Sequence, residues 1–168
     1  SKLLLMTTCY MHFFIEHNRG HHKNVSTPLD PATSRFNESF YAFLPRTVFG
    51  SWMSAWHLEA HRLKKTKQAF WNPLHNEMLR FQIIQLAFTA LIYVVFGWKG
   101  LVGFLAASFI GFTLLEIVNY IEHYGLMRKQ MPNGSYEKVK PHHSWNSEHE
   151  LGRIFLFELT RHSDHHFN

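Results

Sequence analysis

The chain has 168 residues, 46% of them apolar and 16% aromatic, which is enough for one folded domain and too apolar for a disordered one. Its net charge of +5 does not point to a nucleic-acid partner: nine of the seventeen Lys and Arg fall between Arg19 and Arg80 and six from Arg128 onward, leaving only Lys2 and Lys99 elsewhere. The one cysteine, Cys9, excludes a disulfide framework and a zinc ribbon, whereas fourteen histidines against twelve carboxylates mark a chain that uses imidazole.

Residues 1–15 are apolar, lack the basic start and small-residue cleavage site of a signal peptide, and read as the end of a membrane helix. They run straight into Glu16-His17-Asn18-Arg19-Gly20-His21-His22, where imidazoles at i, i+4 and i+5 would share a helix face. In the basic segment 16–80, Pro28, Pro31 and Pro45 are expected to divide the chain into short pieces. Beyond them, Trp52, Trp56, Leu63 and Phe70 set an amphipathic helix over 51–71, lying at the membrane surface or packed on the protein itself. The pair His57 and His61 on this stretch looks like half of a zinc-protease motif but lacks a Glu directly after the first histidine, and is assigned to an exposed face.

Phe81 to Trp98 carries no formal charge and no histidine over eighteen residues, roughly 27 Å of helix against a hydrocarbon core of about 30 Å. Gly97, Trp98, Lys99 and Gly100 make a short turn, and 101–121 is a second apolar stretch broken chiefly by Glu116 and Asn119. The pair predicts a transmembrane hairpin. A buried hairpin of a soluble protein is the alternative, but the charge distribution places the basic segments 16–80 and 122–168 on the cytoplasmic side and the Lys99 turn outside. The fold class expected is therefore all-α, an integral membrane helical bundle. A turn at Pro132, Asn133 and Gly134 closes a small cytoplasmic hairpin.

Two further histidine groups follow. His123 sits in Asn119-Tyr120-Ile121-Glu122-His123-Tyr124-Gly125-Leu126, directly after the second span, and Arg161-His162-Ser163-Asp164-His165-His166 places imidazoles at i, i+3 and i+4. By topology all three groups fall at cytoplasmic helix ends, so they are expected to converge on one buried site. Seven histidines, His17, His21, His22, His123, His162, His165 and His166, are too many for one tetrahedral zinc, and two metals fit better. Glu16, Glu122 and Asp164 stand where each can accept the second ring N–H of a ligand. His142, His143 and His149 surround Trp145 without persuasive spacing, and His12 and His75 receive no role.

The blocks EHNRGHH (16–22), NYIEHYGL (119–126) and RHSDHH (161–166) resemble those of the bacterial membrane alkane hydroxylases, as do TPLDPATSRF (27–36), LHNEML (74–79) and PHHSWNSEHE (141–150). The resemblance covers essentially the whole chain. It implies a six-helix protein of the bacterial inner membrane, of which about three helices are represented here. On its cytoplasmic face two irons are held by nine histidines, seven of them the residues just named, with O2 as co-substrate, rubredoxin as electron donor and an n-alkane as substrate. The family's first histidine box lies upstream of the first residue here, so the chain is expected to be a fragment, inactive alone. A terminal methyl group offers no acid, leaving group or dipole, so side-chain acid–base chemistry cannot attack it and a metal-activated oxidant is required. Phe88, Leu91, Phe104, Phe109, Phe112 and Leu115 would line an alkane passage or simply meet lipid and neighbouring helices. A diiron desaturase or hydroxylase acting on an acyl lipid would share the site and differ in product. A metal transporter would carry its ionisable residues at mid-membrane, and a haem hairpin would leave five histidines unexplained.

Overall fold

The structure, a computed structural model, describes residues 2–146. Among these the chain is helical, with no strand beyond an isolated antiparallel bridge between Gln130 and Tyr136, which closes the turn expected at 132–134. The helices are α1 (Lys2–Thr7), α2 (His12–Glu16), α3 (His22–Asn24), α4 (Phe40–Lys65) and α5 (Glu77–His123), with a π-wound turn at His17–His21 and a 3-10 turn at Pro141–His143. The described residues form two compact units: 2–20 with 49–115, and 21–48 with 116–146.

In the first unit, α5 folds as a hairpin. Gly97 takes φ 66°, ψ −168°, a left-handed conformation that interrupts the helix where the sequence places its turn. The rings of Phe88 and Phe104 lie 5.6 Å apart, although sixteen residues of straight helix would separate them by roughly 24 Å. The hairpin is long and apolar enough to cross a membrane, and little of it is buried inside the protein. Ile83, Leu86, Leu91, Val94, Val102, Phe109, Ile110 and Leu114 are all exposed on its two arms, apolar surface that water does not favour and lipid does.

The single helix end expected over 1–15 is instead two short helices. Cys9 takes φ 52°, and the hydroxyls of Thr7 and Thr8 bond back to the carbonyls of Leu4 and Leu5, closing α1 before α2 begins. The segment packs on both arms of the hairpin: Tyr10 stacks on Phe112 at 5.1 Å, Ser108 donates to the Thr7 carbonyl at 2.9 Å, and Phe14 meets Phe81 edge-on.

Helix α4 differs from expectation at both ends. It starts at Phe40 and continues through Pro45, which lies in its second turn and removes one backbone bond without ending the helix. It stops at Lys65, and Lys67 takes φ 55° in the turn that follows. Its buried residues recur every fourth position, as Phe43, Thr47, Ser51, Ala55, Glu59 and Leu63. Three of these six are polar, so the helix is held by hydrogen bonds as well as by apolar contact. His57 and His61 are exposed, as assigned, but Glu59 between them is fully buried. Its carboxylate receives Arg19 at 2.8 Å, Arg62 at 2.6 and 2.8 Å, and the backbone N–H of Glu77 at 2.6 Å. The last contact, with the Asn76 side chain accepting from the Leu79 N–H, caps the start of α5.

Candidate metal centre

The second unit carries the candidate site. Its frame is the loop 25–39, which contains little regular structure and is fastened at both ends. Arg46, in α4, makes a two-pronged contact with Glu38 at 2.7 Å on each side and donates to the carbonyls of Pro31 and Thr33. Ser34 donates to the carbonyl of Tyr120 at 2.6 Å and its own carbonyl receives the Gly125 N–H, tying the loop to the end of α5. Arg128 knits the other side, donating from its backbone to Ser26 and from its guanidinium to the carbonyls of Lys23 and Glu137.

This frame brings His21 and His123 together. Both are buried, at 1% and 0% exposure, and their ring centroids lie 4.8 Å apart. His21 presents Nδ1 to Asp30 Oδ2 at 2.9 Å. Asp30 is buried too, and its other contacts are all donors to it: Thr33 Oγ1 on the same oxygen at 2.5 Å and the Ala32 N–H on Oδ1 at 3.1 Å. Burial pushes the Asp30 carboxyl up, but the neighbouring His21, the Thr33 hydroxyl and the Ala32 N–H together outweigh it and hold the group below its ordinary value. The carboxylate is therefore ionised at neutral pH and His21 carries its proton on Nδ1. Two buried imidazoles, one fixed through a carboxylate, are a donor set that suits iron or another divalent transition metal and fit the group implied by the sequence.

The remaining sequence-derived residues fall out as follows. His22 is half-buried with its ring 6.2 Å from that of His21, in the same unit. His17 belongs to the first unit, where it stacks on Phe13 at 4.8 Å, and the backbone around it is π-wound, a conformation that recurs at functional sites. Glu16, also in the first unit, is buried beside Ser54. Gly20 makes room for it, since a Cβ there would collide with its carboxylate and come within 3.1 Å of Leu58. Glu122 is buried in the second unit, and its backbone carbonyl receives the Trp145 N–H. His162, Asp164, His165, His166 and His149 lie outside the described residues. Among the described residues no three His, Cys, Asp or Glu are gathered as a complete metal-holding group.

His143 is placed for another task. Its Nδ1 accepts the Lys140 N–H at 2.9 Å and its Nε2 faces Glu137 at 3.5 Å, so both ring nitrogens are committed to the 137–143 loop. His142 is exposed. Asp30 is the residue that reading the sequence missed. Its signal was an acidic residue between Pro31 and the Thr27-Pro28 turn, with Thr33 three positions on, a spacing that bends the backbone toward a carboxylate.

A family model for fatty acid desaturases matches residues 2–168. The chain belongs to the fatty acid desaturase family. Within it, the sequence is 48% identical over 166 residues to alkane 1-monooxygenase 1 of Alcanivorax borkumensis and 48% identical over 166 residues to the alkane 1-monooxygenase of Ectopseudomonas oleovorans, with 99% of this chain covered in each. It is 49% identical over 167 residues to the alkane 1-monooxygenase of Acinetobacter baylyi, again over 99% of the chain. The chain spans about 41% of the length of the first two relatives and 40% of the third. The desaturase-family chain is thus helical among its described residues and similar to these monooxygenases over nearly all of its length.

Proposed function

We propose that this chain is the metal-holding part of an alkane 1-monooxygenase, which oxidises the terminal methyl of medium- to long-chain n-alkanes to 1-alkanols. The observation that carries the reading is the buried His21–Asp30–His123 cluster in a chain nearly half identical to alkane 1-monooxygenases along its length. His17, His21, His22, His123, His162, His165 and His166 would hold two irons, with further ligands supplied by segments of the full-length protein. Glu16, Glu122 and Asp164 are proposed to orient ligand rings. The full-length protein would be a multi-pass protein of the bacterial inner membrane with these groups on the cytoplasmic side, where 16–80 and 122–168 carry the positive charge. Rubredoxin is the proposed reductant.

When bound, iron supplies the activation of O2 that an inert C–H bond demands. The balance of the reaction is simple: one oxygen atom enters the C–H bond, the other leaves as water, and two electrons and two protons are consumed. The contribution of this chain's residues is to keep the site buried and, through Asp30, to hold the His21 ring in place. The exposed apolar face of α5 would keep the protein in the phase where the substrate dissolves. Phe88, Leu91, Phe104, Phe109, Phe112 and Leu115 stay candidates for a passage. Leu91 and Phe109 are over half exposed, while Phe112 is engaged by Tyr10, which favours lipid or helix contact for these three.

The test is product analysis. Residues 1–168 are grafted into a full-length alkane 1-monooxygenase and supplied with a reductant, an n-alkane series and saturated acyl lipids. The expected product is 1-alkanol. A double bond or hydroxyl in the acyl lipids, with n-alkanes untouched, would replace the reading with that of an acyl-lipid desaturase or hydroxylase. No oxidation of either would refute it.

A further inference from the structure

We infer that Asp30 is a positioning residue for the metal centre: by holding His21 through Nδ1 it dedicates Nε2 to the metal. The inference rests on the proposed metal role of His21 and extends it to a residue in a different part of the chain.

Three features of the structure carry it. First, the carboxylate is committed to acceptance on both oxygens. Thr33 Oγ1 and the Ala32 N–H each donate to it, and Thr33 in turn accepts the Ser26 N–H at 2.8 Å, so its hydroxyl proton has nowhere else to point. An acceptor-only carboxylate leaves one arrangement for the ring 2.9 Å away, with the proton on Nδ1. Secondly, the loop cannot swing. Arg46 grips the carbonyls of Pro31 and Thr33 on either side of Ala32, and Ser34 is bonded to Tyr120, so Asp30 stands on backbone fixed at several points within four residues. Thirdly, among the described residues no Lys or Arg is bonded to the carboxylate. Arg128 feels its charge but spends its guanidinium on the carbonyls of Lys23 and Glu137, and Arg46 of α4 is matched by Glu38, whereas the side-chain partners of Asp30 are His21 and Thr33.

A carboxylate in that position has a recognisable chemical effect. It excludes the tautomer whose Nε2 is protonated and unable to bind metal, it stops the ring rotating, and it raises the basicity of the ligating nitrogen. Loss of such a partner typically lowers metal affinity or activity by about 10- to 100-fold. Asn in place of Asp must turn an amide N–H toward either His21 and Thr33 or the Ala32 N–H. The first orientation favours the wrong tautomer and the second loses the loop bond.

The experiment uses the full-length protein carrying residues 1–168, with iron per chain measured after titration against a chelator, together with alkane oxidation and the melting temperature of the metal-free protein. Four variants are compared: Asp30→Asn, Thr33→Val, His21→Ala and the double variant Asp30→Asn with His21→Ala. Thr33→Val removes the loop bond and leaves the carboxylate on His21, so it reports the purely structural share. The expected result is a loss of iron affinity of about 10- to 100-fold for Asp30→Asn and under about threefold for Thr33→Val, with similar melting temperatures for the two. The double variant should lose no more iron than His21→Ala alone, because Asp30 acts only through that ring. Wild-type iron affinity in Asp30→Asn, equal losses in Thr33→Val, or full additivity in the double variant would each overturn the assignment. If the unsubstituted chimera itself holds no iron, the reading of the whole site falls and Asp30 with it; if it holds iron and oxidises alkane, only the variants decide.

Discussion

Glu59 and Asp30 are both buried carboxylates whose oxygens are taken by donors, yet they sit in opposite kinds of surroundings. Glu59, in the first unit, is gripped by the permanently charged Arg19 and Arg62 and caps the start of α5. Asp30, in the second unit, is gripped by a histidine and a threonine. A guanidinium cannot bind a metal or give up its proton, so a carboxylate spent on arginines is a fastening. An imidazole has a second nitrogen, so a carboxylate spent on a histidine decides what that nitrogen can do. The chemical class of the partner, more than burial or the number of hydrogen bonds, is what separates the fastening Glu59 from Asp30 in its proposed positioning role.

Substitutions that break the comparison should divide along the same line. The largest effect is expected for His21→Ala and His123→Ala in the full-length protein, with iron binding and alkane oxidation falling by more than the ~100-fold upper limit typical of outer partners, and with lower melting of the metal-free form too, since each change empties a buried site and His21→Ala strands the Asp30 carboxylate. Next is Glu59→Ala, which removes the acceptor of the Glu77 N–H and one carboxylate from each of two arginines, leaving Arg19 on Glu77 and Arg62 on the His75 carbonyl. Because both arginines are about a third exposed, the expected destabilisation is about 2 kcal/mol, below the range for a wholly buried pair, and chelator titration should show unchanged iron affinity. Gly20→Ala should cost about 1–3 kcal/mol, since its Cβ collides with the Glu16 carboxylate and crowds Leu58, and thermal unfolding in detergent measures it.

The smallest effect concerns Glu137. The Lys129 N–H and the Lys140 ammonium hold it down to about 2 from an ordinary 4.5. A lowered carboxylate contributes stability that is fully present above pH ~4.5 and is lost as pH falls through about 2. Exchange of the Lys129 amide, read by hydrogen–deuterium exchange, should therefore be unaffected by Glu137 titration between pH 7 and 5. In Glu137→Gln at neutral pH it should rise roughly 3- to 10-fold.

Much of this was legible from the residues, for definable reasons. The hairpin announced itself because eighteen uncharged residues from Phe81 to Trp98, with Gly97 near their end, admit few alternatives, and Gly97 indeed takes the left-handed conformation that the turn needs. The exposure of His57 and His61 followed from the charges around them. Two of the breaks in expectation share a cause. Local propensity expects one helix end over 1–15 and a break at Pro45, and in each case hydrogen bonding or helix position overrides it: threonine hydroxyls end α1, and α4 absorbs its proline in the second turn. The site was half visible. Histidine spacing drew attention to His21 and His123, but Asp30 lies nine residues from the ring it holds, on a loop whose path is set by Arg46 and by Ser34 bonded to Tyr120. Such a partner is written in tertiary hydrogen bonds and has no periodicity to betray it.

The central claim is that these histidines hold iron for alkane oxidation, and the most direct measurement is the metal content and product of the full-length chimera beside its His21→Ala and His162→Ala variants. The account predicts two irons per chain and 1-alkanol from an n-alkane, with both lost in each variant. Full activity in the variants, or zinc bound with no oxidation, would contradict it.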